Sequence, residues 1–454
     1  MRLAGQTVAR PGLRRPRSSA EPRVPKAPPA PGRTPVRQNR GDEPGVSMVS
    51  LDFRTRSESD IRTVDTRAFF DEELPALIAE RAVLARAGAQ ELRVEPFSIV
   101  TPSGAWTLAL TGDTFTVRPG NDGAACVELS DADVADVVND LKTAMTFLTG
   151  GTLRMPRGNL GDFLDWWVVL RALIDGRPVH TTGAITFEDR SGAPLDLQRS
   201  FTPEDDDDEI AAFLGDAGFL HLRGWFDVEM MDEISADMDR ALPTYTRDDG
   251  RSWWAKTANG DDRCVRMEFF QEHSPRVREL LASDRFLRIG RFVEGGYLPR
   301  TTGDMIEALV KPIGVVEGIS DVPWHKDCSL GMHSFRCCGL TTGISVTGAD
   351  ARSGQLRVVA GSHRALVQPA FVRSGCDLPI VDLPTDTGDV TVHCSCTLHM
   401  SQPPVDRERR VMYTGFGLPP RAATGAQQQA AMAAIGAVRE GAYKTVSQAP
   451  GHTG

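Results

Sequence analysis

From Met305 onward the chain breaks into short strand-like pieces, "MIEALVKPIG", "GLTTGISVTG", "GQLRVVAGSH", "GDVTVHCSC" and "RRVMYTGFG", separated by glycine, proline and aspartate turns. Strands spaced this way predict a jelly roll or barrel, an architecture that leaves few strand edges open. Well upstream, at residues 200–226, lies "SFTPEDDDDEIAAFLGDAGFLHLRGWF". Thr202 suits an N-cap, Pro203 suits the first helical position, and the acids after Glu204 fall where the helix dipole favours them. The acidic run therefore starts a helix and is no metal site. That helix should end near Gly215, followed by a half-buried strand in "GFLHLRGWF" and a second amphipathic helix, "DVEMMDEISADMDRAL".

The 454 residues are enough for two domains and a tail. Residues 1–47 hold nine prolines and ten Lys/Arg against three Asp/Glu, with almost no aliphatic periodicity. Such a segment cannot bury enough surface to fold and reads as a disordered Arg/Pro-rich tail, and Met48 offers an alternative start. The remainder carries 41 Lys/Arg against 58 Asp/Glu. An acidic body without a basic stripe repels phosphate backbones, so no nucleic-acid partner is expected. No apolar run reaches the roughly eighteen residues of a membrane span, and a soluble protein is expected. The eight cysteines include no C-x-x-C. They suit a reducing, cytoplasmic setting, and those in "VTVHCSCTL" read as small core hydrophobes rather than a zinc site. Oligomeric state is not legible.

Between Met48 and about Ala193 the pattern is mixed. A helix-like "AFFDEELPALIAERAVLARAG" precedes strand-like "FSIVTPSG", "AWTLALTGDTFTVRP" and "ACVELS", then helices, the first capped by Ser130. Trp106 with "LALTGDTFTVRPG", the acidic cap at Ser130, and "TGGTLRMPRGNLGDFLDWW" ending in Trp166 and Trp167 resemble the sterol carrier domain. The resemblance implies a small α+β fold whose helices cover one sheet over an apolar tunnel. A polar linker around Asp196 to Arg199 then sets the expected organisation: tail 1–47, sterol-carrier-like domain 48–195, jelly-roll domain 200–425, and a C-terminal helix and tail 426–454. A chain beginning near Arg199 should then fold by itself.

The chemistry sits in "DVPWHKDCSLG". On a strand, positions two apart face the same way, so His325 and Asp327 can point into one cavity. Two histidines and one carboxylate on one face are the usual ligands of non-haem iron(II), so a second histidine is needed. His333 lies in a turn directly after the motif and is hard to bring back. His363 lies in the turn "AGSHR". His393 is inside a strand and His399 follows it, and spacing favours His399 only slightly.

Three motifs in order, "PWHKD", "GQLRVVAGSHR" and "GDVTVHCSCTLHMSQPPVDRERR", resemble the phytanoyl-CoA dioxygenase family of iron(II)- and 2-oxoglutarate-dependent oxygenases. With "GFLHLRGWF" the resemblance covers about residues 205–420. Ala360 stands where the family usually has proline, and Pro404 where it often has asparagine. The resemblance implies a double-stranded β-helix, or cupin-like jelly roll, and His325, Asp327 and His399 as ligands of Fe(II). It also implies Ser401 and Arg410, two and eleven residues after the distal histidine, on the distal carboxylate of 2-oxoglutarate. A guanidinium fork suits a buried carboxylate, and alternation in "RRVMYTGF" sends Arg410 and Arg409 to opposite faces, so only one of them can reach it. Lys311 reads as a surface residue at a strand end, and Trp324 as a packing anchor.

The implied reaction uses O2 and 2-oxoglutarate to hydroxylate an unactivated C–H bond of a small molecule, with lipophilic and acyl-linked molecules as candidates, releasing succinate and CO2. Retention of Asp327 sets it apart from halogenating relatives, which have a small residue there; desaturation and ring chemistry share the same ligands. The alternative is a non-catalytic carrier of a lipophilic metabolite, which would have no reason to keep a complete metal triad.

Overall fold

A computed structural model describes residues 49–300, 305–318, 322–329, 331–372 and 376–418. The expected tails, 1–47 and 426–454, lie outside the described residues. The amino-terminal layer opens with a helical run, Thr66–Ala68, a π-turn Phe69–Glu73 and the helix Leu74–Leu92. Asp65 starts it by accepting the Ala68 N–H. A four-stranded sheet follows, in the order Thr114–Pro119, Gly104–Thr111, Phe97–Thr101, Ala125–Glu128, with only the last pair parallel. Ser130 caps the helix Asp131–Val138 in a reciprocal box with Asp133. Helix Leu160–Asp175 buries Phe163, Trp166 and Trp167, and aromatic rings fill the space under the sheet. Phe97 stacks on Phe163 with centroids 5.7 Å apart, and Phe70 on Trp106 at 4.7 Å.

One boundary differs from the sequence reading. The helix after the linker is Asp207–Ala217, and its cap is Asp206, which accepts the N–H groups of Asp208 and Glu209. Thr202 belongs to a separate turn because the Asp205 carboxylate folds back onto its N–H and hydroxyl. Acids 207–209 still occupy the first turn. The helix ends on Gly218 at φ +80°, where a Cβ would lie 2.2 Å from Nδ1 of His363.

The remaining chain forms two further sheets. The larger runs in the order Val315–Glu317, Ser252–Thr257, Asp262–Met267, Glu307–Lys311, Arg409–Gly417, Leu340–Ser345, Val390–Cys394, Phe219–Leu222. The smaller has Val322–His325, His399–Ser401, Leu356–Val359 and Ile380–Leu383, paired antiparallel. Apolar side chains of both, including Val358, Leu383, Val392 and Met412, share one core. Helix Val228–Ala241 lies on the outer face of the larger sheet, bonded through Ser235 and Asp239 to Arg410. Among the described residues no helix is long and apolar enough to cross a membrane.

Candidate metal centre

His325 ends the first strand of the smaller sheet and is the register partner of His399, the first residue of the neighbouring strand. Their rings lie 4.1 Å apart. Each imidazole is fixed from behind. Nδ1 of His325 donates to the Pro323 carbonyl at 2.7 Å, and Nδ1 of His399 to the Thr397 carbonyl at 2.9 Å. A carbonyl can only accept, so both Nε2 atoms are left with their lone pairs turned inward, as metal ligation requires. They face one oxygen of Asp327, Oδ1, at 3.6 and 3.5 Å. One donor atom from each of His325, Asp327 and His399 lies within 4.8 Å of the other two.

The second carboxylate oxygen is held by the larger sheet. Thr341 donates its hydroxyl to Asp327 Oδ2 at 2.5 Å. His393, the cross-strand partner of Thr341, places Nε2 3.5 Å from the same oxygen. Burial would raise the Asp327 carboxyl, but His399 and the contacts from His325 and His393 hold it well below the usual carboxylate range. Burial, with His393 and His325 alongside, pushes His399 well below the ordinary histidine value. His393 is itself buried, and neither ring nitrogen has a good hydrogen bond among the described residues.

Beside the triad the two sheets bring together Ser401, Lys311 and Arg409. The last two are register partners in the larger sheet, and both are 3% exposed. Lys311 Nζ donates to Ser401 Oγ at 2.5 Å, and Arg409 reaches the same oxygen at 3.4 Å and the Gly354 carbonyl at 2.5 Å. Arg409 Nε is buried without a partner among the described residues. A buried site with two cations, a hydroxyl and an unused N–H is built for an anion.

The structure places two residues differently from the sequence expectation. Arg410 points outward, where it bonds to Ser235 at 3.0 Å and to Asp239 at 2.7 Å, and Arg409 takes the inward position. Counting eleven residues from the distal histidine crosses the loop 402–408, and a slip of one residue there reverses the face of every side chain on the strand. Lys311, expected at the surface, is buried because its strand pairs on one side with Asp262–Met267 and on the other with Arg409–Gly417. Trp324 packs against a small cluster containing Val359 and Leu398, as a packing anchor would.

Of the other histidines considered, His363 is fully buried and donates from Nε2 to the Gly215 carbonyl at 2.9 Å, and burial lowers its pKa to about 4. It is a core histidine. Thr341, His393, Lys311 and Arg409 complete the site, yet only His393 was weighed as a ligand from sequence. The readable signal for Thr341 would have been its alternation in "GLTTGIS", which aims it at the same side as His393 only once the two strands are known to pair.

A jelly roll with a two-histidine, one-carboxylate cluster between its sheets has the donor set of the non-haem iron enzymes. Residues 214–411 match the family model described as Phytanoyl-CoA dioxygenase (PhyH). No curated protein matches the chain. Among solved structures, AviO1 from Streptomyces viridochromogenes Tue57 is 23% identical with a TM-score of 0.39, covering 49% of this chain and 98% of that one. The epimerase SnoN, in complex with Fe3+, alpha ketoglutarate and nogalamycin RO, is 21% identical with a TM-score of 0.38, covering 48% and 91%. EctD from S. alaskensis in its apoform is 16% identical with a TM-score of 0.38, covering 53% and 83%. The sterol carrier resemblance of the amino-terminal layer finds no support, since the family match begins at residue 214.

Proposed function

We propose that this chain is an iron(II)- and 2-oxoglutarate-dependent oxygenase of the phytanoyl-CoA dioxygenase type that hydroxylates a small molecule. The observation that carries the reading is the convergence of His325, Asp327 and His399, with both imidazoles already turned to offer Nε2. These three would hold the metal, and Arg409, Lys311 and Ser401 would take the distal carboxylate of the cosubstrate. When bound, the iron would couple O2 activation to conversion of 2-oxoglutarate into succinate and CO2, and so oxidise an unactivated C–H bond.

The protein's own share is positioning. Thr341 holds Asp327 by Oδ2 and leaves Oδ1 for the metal, so that the carboxylate does not swing away from the histidines. Arg409 offers two N–H groups in a fixed fork, which sets the cosubstrate's direction as well as its affinity. Burial of Lys311 and Arg409 removes competing water and strengthens both contacts. Asp327 keeps a carboxylate where a halogenating site needs a small residue, which favours hydroxylation.

Anaerobic titration with Fe(II) and 2-oxoglutarate tests the reading. A weak visible charge-transfer band should appear when both are present, and succinate should form on admission of air. Absence of the band in folded protein, or its persistence in His399→Ala, would sink the assignment.

A further inference from the structure

Sulfur crowds one flank of the same centre. Cys328 directly follows Asp327, the short helix His333–Arg336 returns His333, and the next two residues are Cys337 and Cys338. The turn after strand Val390–Cys394 adds Cys396. Donor atoms of Cys328, His333 and Cys337 lie within 4.8 Å of one another, and so do those of Cys337, Cys338 and Cys396. Nδ1 of His333 is 3.4 Å from the Cys328 sulfur, and the sulfurs of Cys338 and Cys396 are 3.2 Å apart. All are free thiols.

Core packing accounts for cysteines being buried. It does not account for an imidazole and thiols from three chain segments forming two triplets that share Cys337. Sulfurs on a tetrahedral zinc at about 2.3 Å stand roughly 3.8 Å apart, within the span of separations found here. We propose that Cys328, His333 and Cys337 bind a thiophilic cation, Zn(II), with Cys396 closing onto it as the fourth ligand. The spacing within the first segment is Cys-x4-His-x3-Cys. Ligation through Nδ1 leaves the proton of His333 on Nε2, which faces Arg177. The guanidinium then turns fully onto the Phe53 ring, whose centroid is already 5.5 Å away. Such a site ties Cys328, next to Asp327, to Cys396, three residues before His399. It would therefore fix the two segments that carry the triad, and its metal is chemically distinct from one held by nitrogen and oxygen alone.

The test uses full-length protein kept reduced with a phosphine and loaded with Co(II). Two metals per chain are expected, with a near-ultraviolet thiolate-to-cobalt charge-transfer band and the strong visible bands of a tetrahedral ion. The thiolate band should be lost in Cys328→Ser and His333→Ala and kept in His399→Ala, which instead loses the 2-oxoglutarate-dependent band of the separate Fe(II) titration. Should the variants fail to fold, X-ray absorption of zinc-loaded native protein decides: a sulfur shell at about 2.3 Å supports the site, and a shell of nitrogen and oxygen only overturns it. Native protein holding one cobalt with no thiolate band overturns it equally.

Discussion

At the scale of single residues, the centre depends on a division of labour within one carboxylate. Asp327 Oδ1 faces the two histidines while Oδ2 is taken by Thr341. Replacing any of His325, Asp327 or His399 with alanine should abolish the iron and 2-oxoglutarate charge-transfer band while the protein remains folded. Thr341→Val keeps the shape and removes only the hydroxyl, so iron affinity should fall by about ten- to a hundredfold, the usual cost of losing a ligand's outer partner; an unchanged titration would show that Asp327 needs no such hold. The two adjacent arginines make a sharper comparison. Arg409→Lys removes a buried fork beside Ser401, and 2-oxoglutarate affinity should drop by about 1.5–3 kcal/mol, or roughly ten- to a hundredfold. Arg410→Lys disturbs only the outward contacts with Ser235 and the exposed Asp239, and should leave that affinity within a factor of about two, since such exposed pairs contribute under about 1 kcal/mol. Equal losses in the two variants would mean that neither residue touches the cosubstrate.

At the scale of elements, the site is aimed by turns as much as by strands. The Gly388–Asp389 pair opens the strand that carries His393. Gly388 has φ +88°, and a Cβ there would sit 2.1 Å from the Phe226 carbonyl oxygen. Asp389 meanwhile takes the Gly224 N–H at 2.8 Å and the His221 ring at 2.9 Å, which fastens this turn to the one after Phe219–Leu222. Gly388→Ala should therefore cost more than about 1 kcal/mol, read as a lowered midpoint in chemical denaturation. A variant as stable as the native protein would show that the turn has room to shift. The same turns mark where the sequence is readable. His325, Asp327 and the Gly-Asp pair lie within short motifs whose geometry is local, and Ser130 lies within a capping box, so each can be placed by counting. Arg409 cannot, because its face depends on the path of the loop after Ser401. Nor can Thr341 or Lys311, whose inward direction is set by pairing with strands about fifty and a hundred residues away. The Asp206 cap was missed for a milder reason: four consecutive aspartates all satisfy the same local preference, and only the turn Thr202–Asp205 decides among them.

At the scale of the whole molecule, the amino-terminal layer leans on the segment that continues the metal motif. Asp140 accepts the Ser334 N–H at 2.7 Å and its hydroxyl at 2.8 Å, while its own carbonyl takes the Met332 N–H at 2.5 Å. Leu141 packs with Met332 and Phe335. The same aspartate is 3.5 Å from Arg171, which also faces Asp175, with all three side chains under 5% exposed. Asp140→Ala leaves Arg171 with Asp175 as its remaining carboxylate and takes the acceptor from the buried Ser334, so it should destabilise the protein by about 3–5 kcal/mol. Elsewhere Val179 bridges to Leu366, which is buried in the amino-terminal core rather than in that of the jelly roll. A chain beginning at Arg199, read from sequence as able to fold by itself, would lose the partners of Ser334, Met332 and Leu366 together. The two sheets stay complete in such a chain and their common core loses only Leu51 with the flanking Val49, Phe53, Phe187, Leu195 and Leu197, so it should still form the jelly roll at lowered stability. Its segment 328–338 should lose hydrogen-exchange protection, and Fe(II) should bind more weakly because Asp327 adjoins that segment. Comparing exchange at 328–338 with exchange in strand Val390–Cys394 separates the outcomes. Loosening of the first with protection of the second is expected; equal protection in both would show that the amino-terminal layer does not brace the centre, and loss in both would show that the layers share one folding unit.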